Sequence, residues 1–176
     1  GWQQLFGALE RIAVEGRKGA LLCDLSPKHA AEMRKRIDWL SPKPLGLAKS
    51  FGFGDRLGLA TPGHIDGIKG FKVAPIFAQQ SVRENARTGR TPQNVIDDAM
   101  WGVMQAGWKE PWGADADHVK TPEVLDAFVA AGYSMFTIDP GDFVDHKADH
   151  YKLEMLKGKV EDLPWDALGS TSQELV

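Results

Sequence analysis

The chain has 176 residues, 43% of them apolar and 26% charged, with a formal net charge of −3, a balance that suits a folded domain with a sizeable core and excludes a disordered chain. Its basic residues are scattered rather than gathered into a patch, and no apolar run approaches the roughly 20 residues of a membrane-spanning helix, so neither nucleic acid nor membrane is an expected partner. Cys23 is the only cysteine, which rules out an internal disulfide and a thiolate metal cluster built by this chain alone; with no secretory signal at the start, a reducing, cytoplasmic setting is expected.

In chain order, Trp2, Leu5, Phe6, Leu9, Ile12 and Ala13 recur at helical spacing, which predicts an opening helix ending near Gly16. In "LLCDLSPKHAAEMRKRIDWL" an apolar run is followed by Ser26 as helix cap and Pro27 at the first helical position, predicting a helix to about Leu40. "SPKPLG" stops it, because two prolines in three residues disfavour helix on both sides. A domain boundary is expected there, dividing an N-terminal helical segment, 1–44, from the remainder, 45–176.

Beyond the boundary a unit repeats. "LAKSFGFGDR", "FKVAPIFAQQ", "WGADADHVK" and "YSMFTIDPGD" read as strands. "TPQNVIDDAMWGVMQAG" and "TPEVLDAFVAAG" read as helices, with Thr91, Pro92 and Gly107 in the first matched by Thr121, Pro122 and Gly132 in the second. Such alternation predicts an α/β fold with a parallel sheet, right-handed crossovers and every strand's carboxyl end on one face. Ligands bind at that face in barrels and open sheets alike.

The residues following the four strands are polar: "GDR" at 54–56, "AQQSVRE" at 78–84, "DADHVK" at 115–120 and "DPGDFVDH" at 139–146. In "DADHVK", Asp115, Asp117, His118 and Lys120 are either a solvated loop ahead of a helix capped by Thr121 or a reaction centre. They cannot all point one way unless the strand bends or ends among them. A neutral imidazole suits a divalent ion, and a neighbouring carboxylate can serve as general base. One histidine does not complete a metal site, and the four-residue interval of His146 and His150 in "HKADH" reads as a solvated face. "GFGDRLG" lacks the lysine and hydroxyl of a phosphate loop; Arg56 either meets a substrate carboxylate or pairs with Asp55 in a turn. Gln79 and Gln80 are candidates for sugar hydroxyls, Arg83 and Glu84 for a surface pair. His64 in "TPGHI" stays open between a supporting, a substrate-contacting and a plain loop role.

Taken together, "KSFGFGDRLGLATPGHI", "PIFAQQSVRENARTGRTPQNVIDDAMWGVMQAGW", "GADADHVKT" and "FTIDPGDFVDH" resemble the tagaturonate epimerase family, whose members interconvert the sugar acids tagaturonate and fructuronate; the resemblance covers roughly residues 47–146. It implies a metal-dependent isomerase of carbohydrate metabolism on a TIM-barrel-like scaffold, acting on a small sugar acid. It also implies Asp117 as proton acceptor and His118 as one ligand of a divalent metal cation, with the proton donor and remaining ligands in later parts of the family's sequence. Asp55, Arg56, Gln79 and Lys120 are the candidate substrate contacts.

A typical barrel takes about 250 residues, so this chain is expected to hold the first half of one. The open edges of a half barrel imply a fragment of a longer protein, a homo-oligomer that closes the barrel, or an inactive relative. The tail "STSQELV", which reads as a helix just starting, favours the fragment. The two sugar acids differ at a hydroxyl-bearing carbon β to the ketone. Its hydrogen is not acidified by the carbonyl, whereas its hydroxyl is placed for retro-aldol cleavage and re-addition. A metal-dependent aldolase or isomerase for another sugar acid would use the same parts, and a non-catalytic sugar-binding or scaffold protein is the remaining alternative.

Overall fold

The computed structural model describes residues 4, 6, 7, 10–17, 19–55 and 57–175, without the side chains of residues 11 and 175. The chain divides into two units, Gly1–Asp139 and Pro140–Val176. The boundary expected near residue 44 lies inside the first unit, where the backbone N–H of Lys43 donates to the carbonyl of Trp112 at 2.8 Å.

The opening stretch differs from its predicted helix. Strand β1 (Glu10–Ile12) pairs antiparallel with β2 (Ala20–Leu22), so Ile12 belongs to a hairpin and not to a helical stripe. Phe6 is helical and buried, while Trp2, Leu5 and Leu9 lie outside the described residues. Periodicity over so short a segment does not outweigh pairing with a second strand, because a short isolated helix is marginal in water. Helix α1 (Pro27–Arg36) begins as predicted, with the Ser26 hydroxyl accepting from the backbone N–H of His29 at 3.4 Å. It ends four residues early: Ile37 is extended, and Asp38–Leu40 form a 3-10 turn that drives Leu40 into the core.

The four predicted strands form one parallel sheet in the order β3 (Ser50–Gly54), β4 (Ala74–Ser81), β5 (Gly113–Val119), β6 (Met135–Ile138). Three helical crossovers join them. The first is α2 (Thr61–Ile68), whose two internal glycines hide it from sequence reading; the second contains α3 (Val82–Thr88) and α4 (Pro92–Ala106); the third is α5 (Pro122–Ala131). Among the described residues, no helix is long and apolar enough to cross a membrane.

Helix α4 organises the core. Thr91 and Asn94 form a reciprocal capping box at its start, and Gly107 closes it at φ 65°, a conformation that favours glycine. Val95, Ile96, Ala99, Met100 and Val103 repeat at helical spacing and are fully buried. Burial of each large one contributes about 1.5–3 kcal/mol relative to exposure. Gly102 sits where α4 crosses α2, and a Cβ there would lie 2.6 Å from Cβ of Thr61. Arg34 of α1 reaches the same helix and donates to Asp97 at 2.6 Å, with Gln93 donating to the same oxygen at 2.7 Å. Trp112, fully buried below β5, donates its indole N–H to the carbonyl of Trp39 at 3.0 Å.

Helix α5 shows one departure from its expected cap. Thr121 occupies the cap position without a capping hydrogen bond to the backbone. Glu123 is instead bonded by its own backbone N–H and by the Thr121 hydroxyl, which together hold its carboxyl below the ordinary range.

The second unit contains 3-10 turns at Gly141–Phe143 and Ala148–His150 and the helices α6 (Leu153–Glu161), α7 (Trp165–Leu168) and α8 (Ser172–Leu175). Within it, Lys159 pairs with Asp145 at 3.0 Å and Trp165 donates to the carbonyl of Val160 at 2.9 Å.

Two stability predictions follow from α4. Gly102→Ala forces apart two packed helices and is expected to destabilise the protein by about 1–3 kcal/mol in chemical denaturation; an unchanged midpoint would contradict the close approach. Burial raises the Asp97 carboxyl above its ordinary value, against the lowering pull of Arg34 and Gln93. A carboxyl raised on folding favours the fold when protonated, and that contribution is lost as pH climbs from the ordinary carboxylate range through the raised value. Arg34→Met removes the counter-charge, so the variant should lose about 3–5 kcal/mol at neutral pH and less in acid, where Asp97 takes up a proton. Equal losses at both pH values would refute the pairing.

Candidate active site

The candidate site begins with a buried carboxylate at the centre of the sheet. Asp115 of β5 is fully buried; its Oδ2 receives the Gln79 amide N–H from β4 at 3.1 Å, and the Thr137 hydroxyl of β6 is shared between Oδ2 at 2.8 Å and Oδ1 at 3.0 Å. A buried carboxylate needs donors on both oxygens, and here the flanking strands supply them. Gly52 of β3 completes the row: a Cβ there would lie 2.6 Å from the Gln79 side chain. The register then pairs Gln79 with Asp115 and Ser81 with Asp117, so Asp117 follows Asp115 on the same face one pleat nearer the carboxyl end.

At His118 the alternation breaks. Its φ is 57°, the left-handed region that a residue with a Cβ seldom enters, and the pairing of β5 with β6 shifts register between Ala116 and Val119. Such a backbone costs on the order of 1–2 kcal/mol for a non-glycine residue. The strand thus bends here, one of the two conditions under which the polar groups of this stretch could face one way, and the consequence is local. The imidazole Nε2 comes within 3.5 Å of the Asp117 carboxylate although the two residues are neighbours in a strand. Nδ1 lies 3.0 Å from Oδ2 of Asp139, the first residue after β6, and the Lys120 ammonium lies 3.9 Å from the same oxygen.

Two cavities open beside this cluster. One of about 450 Å³ is lined by His118, Lys120, Asp139 and Val124, the other of about 220 Å³ by Asp117, Asp55, Gln79 and Gln80; Ser81 and Arg83 border both. The remaining sequence candidates are distributed unevenly. Both carboxylate oxygens of Asp55 accept backbone N–H groups, from Leu57 at 3.1 Å and Ala60 at 2.6 Å, and its carbonyl accepts from the Gln80 amide. Arg56 lies outside the described residues. Arg83 is 3.4 Å from Glu84, as expected of a surface pair, yet it also reaches both cavities. His64 sits on α2, stacked on Phe53 with ring centroids 4.9 Å apart. His146 and His150 belong to the second unit.

Among the described residues, no group of three or more His, Cys, Asp or Glu side chains is placed to hold a metal ion. The fit to a divalent cation is thus that of one donor, His118, whose Nδ1 is engaged by a carboxylate in the manner common to metal-bound histidines. Sequence reasoning assigned no role to Asp139. Its signal was its position, immediately after the apolar "FTI" of the last strand.

Comparison with known proteins gives the family. The tagaturonate epimerase family profile matches residues 4–174. A tagaturonate/fructuronate epimerase of Thermotoga maritima is 53% identical over 122 residues, covering 69% of this chain and 25% of that relative. Crystal structures of fructuronate-tagaturonate epimerase UxaE from Cohnella laeviribosi, native and complexed with one glycerol, superpose with a TM-score of 0.75 at 36% identity. They match 90% and 89% of this chain respectively, and 32% of their own length. The chain thus spans between a quarter and a third of the relatives it matches. A parallel sheet that carries its acid–histidine pair at the carboxyl ends, matched over nearly the whole chain by one family, leads to one assignment: this chain belongs to the tagaturonate epimerase family.

Proposed function

We propose that these residues form the first βα units of a TIM-barrel-like, metal-dependent epimerase that interconverts tagaturonate and fructuronate in hexuronate catabolism in the cytoplasm. The observation that carries the reading is the contact of Asp117 with His118 beside two cavities at the strand ends, in a chain of this family. Consecutive sheet order and parallel direction support the barrel, in which β3 and β6 would take further strands as neighbours.

The chemistry follows from the substrate. Asp117 is assigned as general base and takes the proton from the hydroxyl on the carbon β to the ketone. As the O–H electrons form the new C=O, the bond between the α and β carbons breaks, leaving an aldehyde and the enediolate of the ketone half. Rotation of the aldehyde about its bond to the rest of its fragment presents the other face. Re-addition reforms the carbon–carbon bond and Asp117 returns the proton, so the centre is inverted with atoms and charge balanced. Lys120, bordering the larger cavity, is assigned to the substrate carboxylate, with Arg56 beside it in role. Gln79, which borders the smaller cavity, is assigned to the sugar hydroxyls, while Asp55, whose oxygens hold its own loop, shapes the wall of that cavity. A divalent cation bound through His118 and donors elsewhere in the longer protein would supply Lewis acidity at the ketone.

Two predictions test the reading on the longest native chain containing these residues. Incubated with tagaturonate or fructuronate, it should interconvert them, lose activity on chelation and regain it with divalent ions. Asp117→Asn should then lower kcat by about 10²–10⁴-fold. Turnover of neither sugar by a metal-loaded chain would overturn the substrate assignment. Separately, His118→Gly and His118→Ala should both be inactive, but the glycine variant should be the more stable by about 1 kcal/mol, because only it relieves the left-handed backbone; equal denaturation midpoints would show that φ carries no strain.

A further inference from the structure

The geometry points to Asp139 as the positioning residue that fixes the orientation and tautomer of His118, an inference that rests on the proposed role of His118 as a metal ligand. In a regular strand the pleat aims each side chain; at His118 the left-handed backbone removes that guidance, so the ring must be held from outside its own strand. Asp139 does this from β6. Its backbone N–H donates to the carbonyl of Val119 at 2.9 Å, extending the β5–β6 pairing one residue past the strand. Pro140 follows, and a residue before proline is confined to extended conformations. The carboxylate is thereby held on a short, paired and restricted piece of backbone.

From that position Oδ2 of Asp139 stands 3.0 Å from Nδ1 of His118, with its side chain 20% exposed against 51% for the imidazole. The better-shielded partner is the carboxylate. A carboxylate is an acceptor only, so the proton of this bond resides on Nδ1. In the neutral form of the ring that leaves the lone pair on Nε2, the atom that faces Asp117 at the longer distance of 3.5 Å. In the proposed role of His118, Nε2 is then the atom that would be offered to a cation. Without Asp139 the ring would be free to rotate and to take the opposite tautomer, which places a proton where a cation must bind.

The test uses the longest native chain, metal-free, with Asp139→Ala, Asp139→Asn and His118→Ala. Long-range proton–nitrogen correlation should place the wild-type His118 proton on Nδ1 and, in Asp139→Ala, move it to Nε2. Titration with Mn²⁺ should show affinity falling about tenfold or more in Asp139→Ala, with a smaller fall in Asp139→Asn, which keeps an acceptor oxygen. Thermal melting of both variants should stay near wild type; if alanine does not fold, the asparagine variant carries the measurement. An unchanged tautomer and unchanged Mn²⁺ affinity in a folded Asp139 variant would overturn the inference. If His118→Ala also leaves Mn²⁺ affinity unchanged, the ligand reading of His118 has failed instead, and the wild-type tautomer alone decides the role of Asp139: a proton on Nδ1 upholds it, and one on Nε2 refutes it.

Discussion

The Asp115 carboxylate, buried at the centre of the sheet and held by Gln79 and Thr137, is the interaction on which the site's geometry depends. An acid at this depth is tolerated only with its oxygens satisfied, and its donors come from the strands on either side. Satisfying Asp115 therefore sets β4, β5 and β6 in register with one another. Asp117 inherits its place opposite Ser81 from that register. Gly52 belongs to the same constraint, because any side chain there would displace Gln79.

The other face of the sheet supplies the free energy. Ala78, Ala114 and Ala116 are fully buried beneath the apolar stripe of α4, and their small side chains let the helix lie close. The Arg34 to Asp97 pair, between side chains 12% and 8% exposed, ties α1 to that helix. A buried ion pair of this kind contributes little net stability, because desolvation offsets the attraction. Breaking it is costly all the same, since a slipped α1 would leave Asp97 buried without a cation.

Between the apolar face and the polar face, one residue takes a conformation that neither requires. His118 accepts a backbone cost on the order of 1–2 kcal/mol, which the packed sheet on both sides can offset. In return an aspartate and a histidine adjacent in sequence approach within 3.5 Å, which a regular strand would prevent by sending them to opposite faces. Strained residues gather at functional sites for this reason. The two cavities beside the pair add an arginine and a lysine, the cations that an acidic sugar calls for.

Much of this was legible in the residues. Thr91, Pro92 and Gly107 bracket α4, Pro122 and Gly132 bracket α5, and the apolar runs mark all four strands, because caps and pleats are local interactions within a few positions. Helix α2 and the β1–β2 hairpin were not legible: Gly63 and Gly67 dilute one helical pattern, and in the other case Ile12 fits a helical stripe but pairs with Ala20. Four linked stretches, "GADADHVKT" among them, carried the family resemblance, and "DADH" was placed at a strand end. Only the tertiary structure decided that Asp115 is a buried brace, that Asp55 spends its oxygens on its own loop, and that His118 turns back toward Asp117 and onto Asp139. The physical reason is range. The bond from His118 to Asp139 spans 21 residues and depends on the sign of one backbone angle, and neither leaves a periodic trace along the chain.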